Sequence, residues 1–475
     1  MDQSMALIDV QVHFLEERIV LVHIPLELYP YFLKSVLRLI FDETPPLEDE
    51  TDDDAAFDDF EHASEHGYKP PAFMNVSITP VEVSVMCPRR LVDKYFVPVM
   101  DQLDQLDVSL RSHLVVSEND YIAMQVLGQG LEAGKRVLEL TSPLALAGIS
   151  IFFISTYFSD YIIVPQKSKA SVMTALEKRG FQFDNASAFI TNPLSPTIER
   201  RLSDLIPPGT PPPSTLGELQ TRTFNNLRKH QITPSVDHSL RLVQCAAHHE
   251  YDSQESSMSI LRDALTTVLV VDEPRFLSLT LASLDPAASL LIEKRLLPRF
   301  ARRSTSSTGT PTYEDGSGLL LGSKEDHLIP ITLDLRDLPL EASGIVCGVA
   351  GRLADAATSS HYAFSADSSV GSGASSIAGS VPKQFDSFGT RLAALSIDKT
   401  HPTSTSAPSH GLHPLPTSTH HLQPDVDIAD AVEISFLSTA RAGTIIVGED
   451  ELRRAIDALE EEKMQSPKLE GTRLD

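Results

Sequence analysis

The feature that most constrains this chain is a repeat. Residues 149 to 156 read ISIFFIST and residues 432 to 439 read VEISFLST. At the same offset of 283, Ile162-Ile163-Val164 meets Ile445-Ile446-Val447 and Ala175-Leu176-Glu177 meets Ala458-Leu459-Glu460. Upstream of these, Leu131-Glu132-Ala133 meets Leu340-Glu341-Ala342 and Leu144-Ala145 meets Leu353-Ala354, but at an offset of 209. The offsets differ by 74 residues, which places an insert of that length in the second copy, between about Ala356 and Ala429. Runs such as SSVGSGASS and HPTSTSAPSHGLHPLPTSTHH within it hold too few large apolar groups to build a core, so it is expected to be disordered. Duplication of this kind predicts a pseudo-twofold architecture whose halves meet across a ligand-sized crevice.

The patterning within each copy is α+β. Apolar residues alternate in Val10 to Leu15 and in Ile19 to Ile24, with Glu16, Glu17 and Arg18 between them, which reads as a hairpin. From Leu26 to Phe41 the spacing becomes helical, with Leu33, Val36, Leu37 and Ile40 on one face. Short strands follow at Asn75 to Ile78 and Val81 to Cys87, with a helical stretch from Pro88. The next unit runs strand (Tyr121 to Leu127), helix (Glu132 to Ala147), two strands (Ile149 to Tyr157, Tyr161 to Val164) and helix (Lys169 to Lys178). A third unit is expected from strands at Val268 to Val271 and Phe276 to Leu281, then a helix from Pro286 to Leu297 with Asp285 as N-cap. The domain reading is 1–110 with an acidic loop at 43–66, 111–184, an extended linker at 185–239 containing PPGTPPPST, 240–338, 339–465 interrupted by a disordered insert at 357–428, and a tail at 466–475.

Composition excludes several classes. Lys and Arg number 39 against 65 Asp and Glu, a formal charge of -26 that repels nucleic acid and anionic membrane surfaces. Cys87, Cys245 and Cys347 are odd in number and far apart, which supports neither a disulfide framework nor a zinc site and fits a reducing, cytoplasmic compartment. The N-terminus lacks the basic start and apolar core of a signal peptide. The apolar segment Leu144 to Val164 contains Ser155, Thr156, Ser159 and Asp160, so a buried helix-strand-strand run is expected in place of a membrane span.

At ISIFFISTYFSDYIIVP and EASGIVCGVAGRLADA the chain resembles the CASTOR family, cytosolic arginine sensors of the TOR pathway built from four ACT modules, as a divergent, fungal-type member. The resemblance implies tandem ACT-like (βαββαβ) modules with antiparallel sheets covered by helices on one face, duplicated in two halves. It implies a non-enzymatic regulator that binds a small molecule, an amino acid or related metabolite, between the second and fourth modules. On the residues that match, it places Ser150, Ile151, Gly344, Val346 and Thr439 at the ligand and Tyr157 and Asp160 on a surface that contacts a GATOR-type regulatory complex. It also implies a homodimer, as do the exposed edges of antiparallel modules. The acidic residue after the family's Ser-Thr-Phe run is Gly443 here, a nearby glutamate is Ala342 and a pocket glycine is Pro339. Because an unpaired buried guanidinium costs several kcal/mol, arginine is a doubtful ligand, with Glu341, Glu433 or Arg441 left to adjust the charge. The alternative is a ligand-independent scaffold that kept the fold; an allosteric enzyme would need a separate catalytic domain.

Other chemistry fits less well. Val370-Gly-Ser-Gly-Ala is no nucleophile elbow, and Gly128-Gln-Gly130 with Gly134 fails both the dinucleotide and P-loop spacings. The pairs His248-His249 and His420-His421 lack a third fixed ligand, so no metal or cofactor is expected. Arg200-Arg201-Leu202-Ser203 has the form of a basophilic kinase site.

Overall fold

The strands Phe73–Ile78, Val83–Pro88, Asp160–Pro165 and Leu242–Ala247 are buried along their whole length, so each buries two faces. The computed structural model describes residues 10–43, 71–106, 114–128, 133–183, 212–247, 257–300, 303–305, 311–313, 320–322, 327–340, 342–367 and 434–460. The acidic loop, Gly130, both histidine pairs, Arg200 to Ser203, the Val370 run, Glu341 and Glu433 lie outside them.

The first unit contains β1 (Val10–Ile24), α1 (Tyr29–Glu43), β2 (Phe73–Ile78), β3 (Val83–Pro88), α2 (Arg89–Tyr95) and α3 (Val97–Leu106). The second contains β4 (Tyr121–Gly128), α4 (Ala133–Leu146), β5 (Phe152–Ser155), β6 (Asp160–Pro165) and α5 (Lys169–Glu177). After α6 (Leu216–Lys229), the third unit contains β7 (Leu242–Ala247), α7 (Ser257–Thr267), β8 (Leu277–Ala282) and β9 (Ser289–Glu293). The fourth contains β10 (Leu328–Asp334), α8 (Ile345–Asp367), β11 (Ile434–Ser438), β12 (Ala442–Gly448) and α9 (Leu452–Glu460).

These strands run antiparallel in the order β7-β9-β8-β2-β3-β1-β4-β6-β5-β11-β12-β10, and a pairing of Leu242 with Leu328 joins β7 back to β10. The sheet is therefore a ring. Side chains alternate between its two faces. In β6, Tyr161 and Ile163 enter an interior cluster with Leu21, Phe73, Leu291 and Ile446, while Ile162 and Val164 face outward under the helices. One outer core joins the helices of the first and third units, and another joins those of the second and fourth. The units therefore pair across the sequence halves: β2 lies along β8 through six register pairs, and β5 meets β11 at Ile154 and Leu437. Phe153 and Phe436, equivalent in the repeat, pack edge to face at 6.3 Å, so the pseudo-twofold axis passes between them.

Several expectations change. Val10–Ile24 is one long strand, not a hairpin, with a register shift between Leu15 and Ile19. Its first half pairs with β4 and its second with β3, while Glu16, Glu17 and Arg18 at the shift pair with Lys169, Arg90 and Asp120. Val268–Asp272 continues α7 as a π-turn and is not a strand. Ser289–Glu293, read as helix, is a strand because both its edges find partners, in β7 and β8. The strand that opens the fourth unit by pairing with β12 starts at Leu328, inside the span 240–338. Helix α8 runs to Asp367 and takes in the first eleven residues of the span 357–428. The ring's seam edges are covered by the short strands Ser235–Val236 and Leu320–Leu321, which removes the long free edges invoked for a dimer among the described residues.

The largest departure is α6, inside the span 185–239 read as an extended linker. Its signal was in the sequence: Thr215 caps the helix by accepting from the Glu218 amide, while Glu218 accepts from the Ser214 amide, a form of capping box. Leu219, Thr223, Phe224 and Leu227 give it one buried face. That face docks on α8 where glycines admit it. A Cβ at Gly348 would lie 2.9 Å from three atoms of Thr223. Gly348→Ala is therefore expected to cost about 1–3 kcal/mol by overpacking, measured by denaturant unfolding, whereas Gly448→Ala, which meets nothing within 4 Å, leaves stability nearly unchanged.

Candidate functional site

Between the second and fourth units lies a cavity that gathers residues from five elements. Ile151 and Phe152 enter from the start of β5, Ala145 from α4, Gly344, Ile345 and Val346 from the start of α8, and Phe436, Ser438, Thr439, Ala442 and Gly443 from β11 and β12. The cavity takes a few waters or one small molecule. Four of the five ligand positions taken from the resemblance, Ile151, Gly344, Val346 and Thr439, line it. The fifth, Ser150, is buried immediately before Ile151. Pro339, Ala342 and Gly443, the three departures from the family pattern, also line it.

Local backbone explains why these residues stand there. Gly344 has φ +84, in the left-handed region that favours glycine, and turns the chain into α8. Its carbonyl accepts the first helical bond from the Gly348 amide and a bond from Thr223 Oγ1 at 3.2 Å, so α6 pins the start of the helix. The first amides of any α-helix lack partners within it, and those of α8 border the cavity. Cys347, also on the wall, is a neutral thiol whose pKa burial pushes up to about 11.

The hairpin turn between β11 and β12 forms another wall and is held from across the ring. Glu82, at the tip of the β2–β3 hairpin, is fully buried. Its Oε1 accepts from Thr439 Oγ1 and from the Arg441 amide, each at 2.5 Å, and its Oε2 lies 2.6 Å from His23 Nδ1. The Arg441 guanidinium turns back to the Leu338 carbonyl at 2.9 Å. A first-unit carboxylate thus fixes a fourth-unit turn.

The repeat supplies a counterpart. Thr156 and Ser159 close the β5–β6 turn just as Thr439 and Ala442 close the other, with the same amide and hydroxyl bonds. Into this turn comes Asp285 from the β8–β9 connection, where Oδ1 accepts from Ser159 Oγ at 2.8 Å and Gln125 Nε2 at 2.9 Å. Asp285 is thus no helix N-cap. Burial raises its pKa, opposed by bonds from Ser159, Tyr161 and Gln125, and burial together with the Asp285 charge raises that of Tyr161.

The partner-contact positions fall on this second turn. Tyr157 is half-buried, stacks edge-on against Phe158 and donates its amide to Ser289 Oγ. Asp160 is only 4% exposed and bonds Arg136 Nε at 2.7 Å, so a partner reaching the turn meets the rings and not this carboxylate. No group of three or more His, Cys, Asp or Glu suited to a metal occurs among the described residues, and no helix there is long and apolar enough to cross a membrane.

The geometry of the second unit agrees with its family match. Residues 116–178 match the ACT domain. Their stretch from β4 through α5 supplies Ile151 and Phe152 to the cavity and the turn held by Asp285. Among solved structures, Atu0741 from Agrobacterium tumefaciens is 13% identical, with a TM-score of 0.21 over 37% of this chain and 92% of its own. VC0802 from Vibrio cholerae is 11% identical, with a TM-score of 0.20 over 36% of this chain and 88% of its own. Aspartate kinase from Synechocystis is 9% identical with a TM-score of 0.26; 95% of this chain is covered, which spans about half, 55%, of the kinase. No curated protein matches the chain.

Removing either acid separates their roles. Glu82→Ala strands His23, Thr439 and the Arg441 amide and is expected to cost about 3–5 kcal/mol in unfolding free energy, with Glu82→Gln costing less. For Asp285 the folded pKa is raised, so its contribution to stability is full below the unfolded carboxyl pKa and declines as pH rises through the folded one. Asp285→Asn is therefore expected to gain Tm relative to the parent as pH goes from about 4 to 7, a trend that differential scanning calorimetry would follow.

Proposed function

We propose that this chain is a non-enzymatic regulator of the CASTOR type, in which an amino acid or related small metabolite binds between the second and fourth ACT-like units and controls capture of a TOR-pathway partner, a GATOR-type complex. The observation that carries this reading is the convergence of Ile151, Gly344, Val346 and Thr439, drawn from three segments at least 93 residues apart in sequence, on one cavity between two units.

A ligand can shift a protein between states only by binding them unequally. Here the cavity wall includes the Thr439 turn, which Glu82 ties to the first unit, while the equivalent Thr156 turn with Tyr157 is tied by Asp285 to the third. Occupying the cavity pushes the α8 start and the Thr439 turn apart, and the ring carries the displacement to the surface near Tyr157. A tenfold change in partner affinity requires about 1.4 kcal/mol of coupling, within the reach of one such buried contact.

The replaced acids and the small volume of the cavity favour a second reading, a scaffold that retains the fold without a ligand. Thermal denaturation against a panel of amino acids distinguishes the two. At a hundredfold excess over Kd the sensor is expected to gain about 2.7 kcal/mol of stability, and Ala342→Phe, which fills the cavity, abolishes the gain. Absence of a shift with any member, together with partner capture unaltered by amino acids, sinks the sensor and leaves the scaffold.

A further inference from the structure

The chemistry of the cavity wall specifies more than a location. Leu333, Leu335, Leu338, Ile345, Phe436 and Ile445 supply most of its surface. Among the described residues that line it no side chain carries a charge, and the one ionisable group, Cys347, stays neutral. Among the described residues, charges close to it are already engaged: Glu82 by His23, Thr439 and the Arg441 amide, the Arg441 guanidinium by the Leu338 carbonyl, and Asp334 by Arg336. The Thr439 hydroxyl, donating to Glu82 and accepting from the Ala442 amide, has no hydrogen left for a ligand. Among the described residues, the polar groups on the wall are thus the Ser438 hydroxyl and the backbone at the start of α8. These residues can hold the charged ends common to every amino acid through backbone dipoles, but supply no counter-charge to a charged side chain, whose desolvation would go unrepaid.

Resting on the sensor reading above, we propose that the ligand is a neutral amino acid with a small aliphatic side chain, of about leucine's size or less. The volume agrees: space for a few waters suits a branched aliphatic group. Affinity then rises with buried carbon, by about fourfold for each methylene, until the cavity is full.

Titration calorimetry of the full chain with leucine, valine, alanine, arginine, lysine and glutamate tests this. Leucine is expected to bind roughly 60-fold more tightly than alanine, from three added carbons at that increment, and the charged amino acids at least about a hundredfold more weakly than leucine. Gly443 provides the internal probe, because a Cβ there meets only Leu335 Cδ1, at an ordinary 3.5 Å. Gly443→Asp is expected to weaken leucine at least about tenfold and improve arginine. Gly443→Ala, a smaller change, weakens leucine while leaving Tm and the aspect of the circular dichroism spectrum intact. Arginine or glutamate binding the parent as tightly as leucine, with sensitivity to Gly443→Asp, overturns the ligand class and spares the sensor. Leucine binding that neither Gly443 variant alters overturns the placement in this cavity. If no amino acid binds, the sensor reading falls too.

Discussion

Glu82 sits inside a closed ring of sheet with no exposed surface, and the arrangement of the cavity depends on how its charge is satisfied. A buried carboxylate is costly unless several donors surround it. The donors come from two units: an imidazole on β1 and, from the fourth unit, a hydroxyl and an amide of one hairpin turn. The acid therefore cannot be satisfied unless the first and fourth units are in register across the ring. Asp285 imposes the corresponding condition between the third and second units. Apolar contacts inside the ring are tolerant of small slips; these two polar centres are not, because each has donors at fixed distances.

This cross-bracing adds to a pairing that follows 1 with 3 and 2 with 4, and not the order of the chain. The outer cores and the β2–β8 and β5–β11 junctions assemble two double units, each formed from both halves of the sequence. Each acid then links one double unit to the other. The cavity lies within the second double unit, and its hairpin wall is the place where the first double unit grips it. Movement of the wall therefore has a defined counterpart in the neighbouring structure.

Much of this was legible in sequence because repeats and periodicity report local structure. The offsets of 283 and 209 located equivalent turns, and the ISIFFIST and VEISFLST strands fell where the alternation put them. Positions Ile151, Gly344, Val346 and Thr439 followed from the resemblance and share one cavity. What escaped was non-local. The Glu16-Glu17-Arg18 interruption resembles a turn, but each of these residues has an ion-pair partner distant in sequence, and the strand passes through with only a register shift. Ser289–Glu293 looks helical until its two neighbours in the sheet are known. Neither Glu82 nor Asp285 carries a local mark, since each is defined by donors that the fold brings from another unit.

Helix α6 is the instructive exception, because its capping residues and apolar face were present in a segment rich in Pro, Thr and Ser. Composition averaged over the segment concealed a short element whose periodicity was intact. Its position matters to the cavity. Thr223 bonds the Gly344 carbonyl, and Gly348 leaves the room in which the two helices meet. The start of α8 is thus set from two sides, by the left-handed Gly344 within the chain and by α6 from outside it. A ligand whose polar end faced those amides would act directly on the α6 contact. The segment joining the sequence halves, on this account, is a structural support of the cavity wall: the same glycine that lines the cavity also receives the helix that packs behind it.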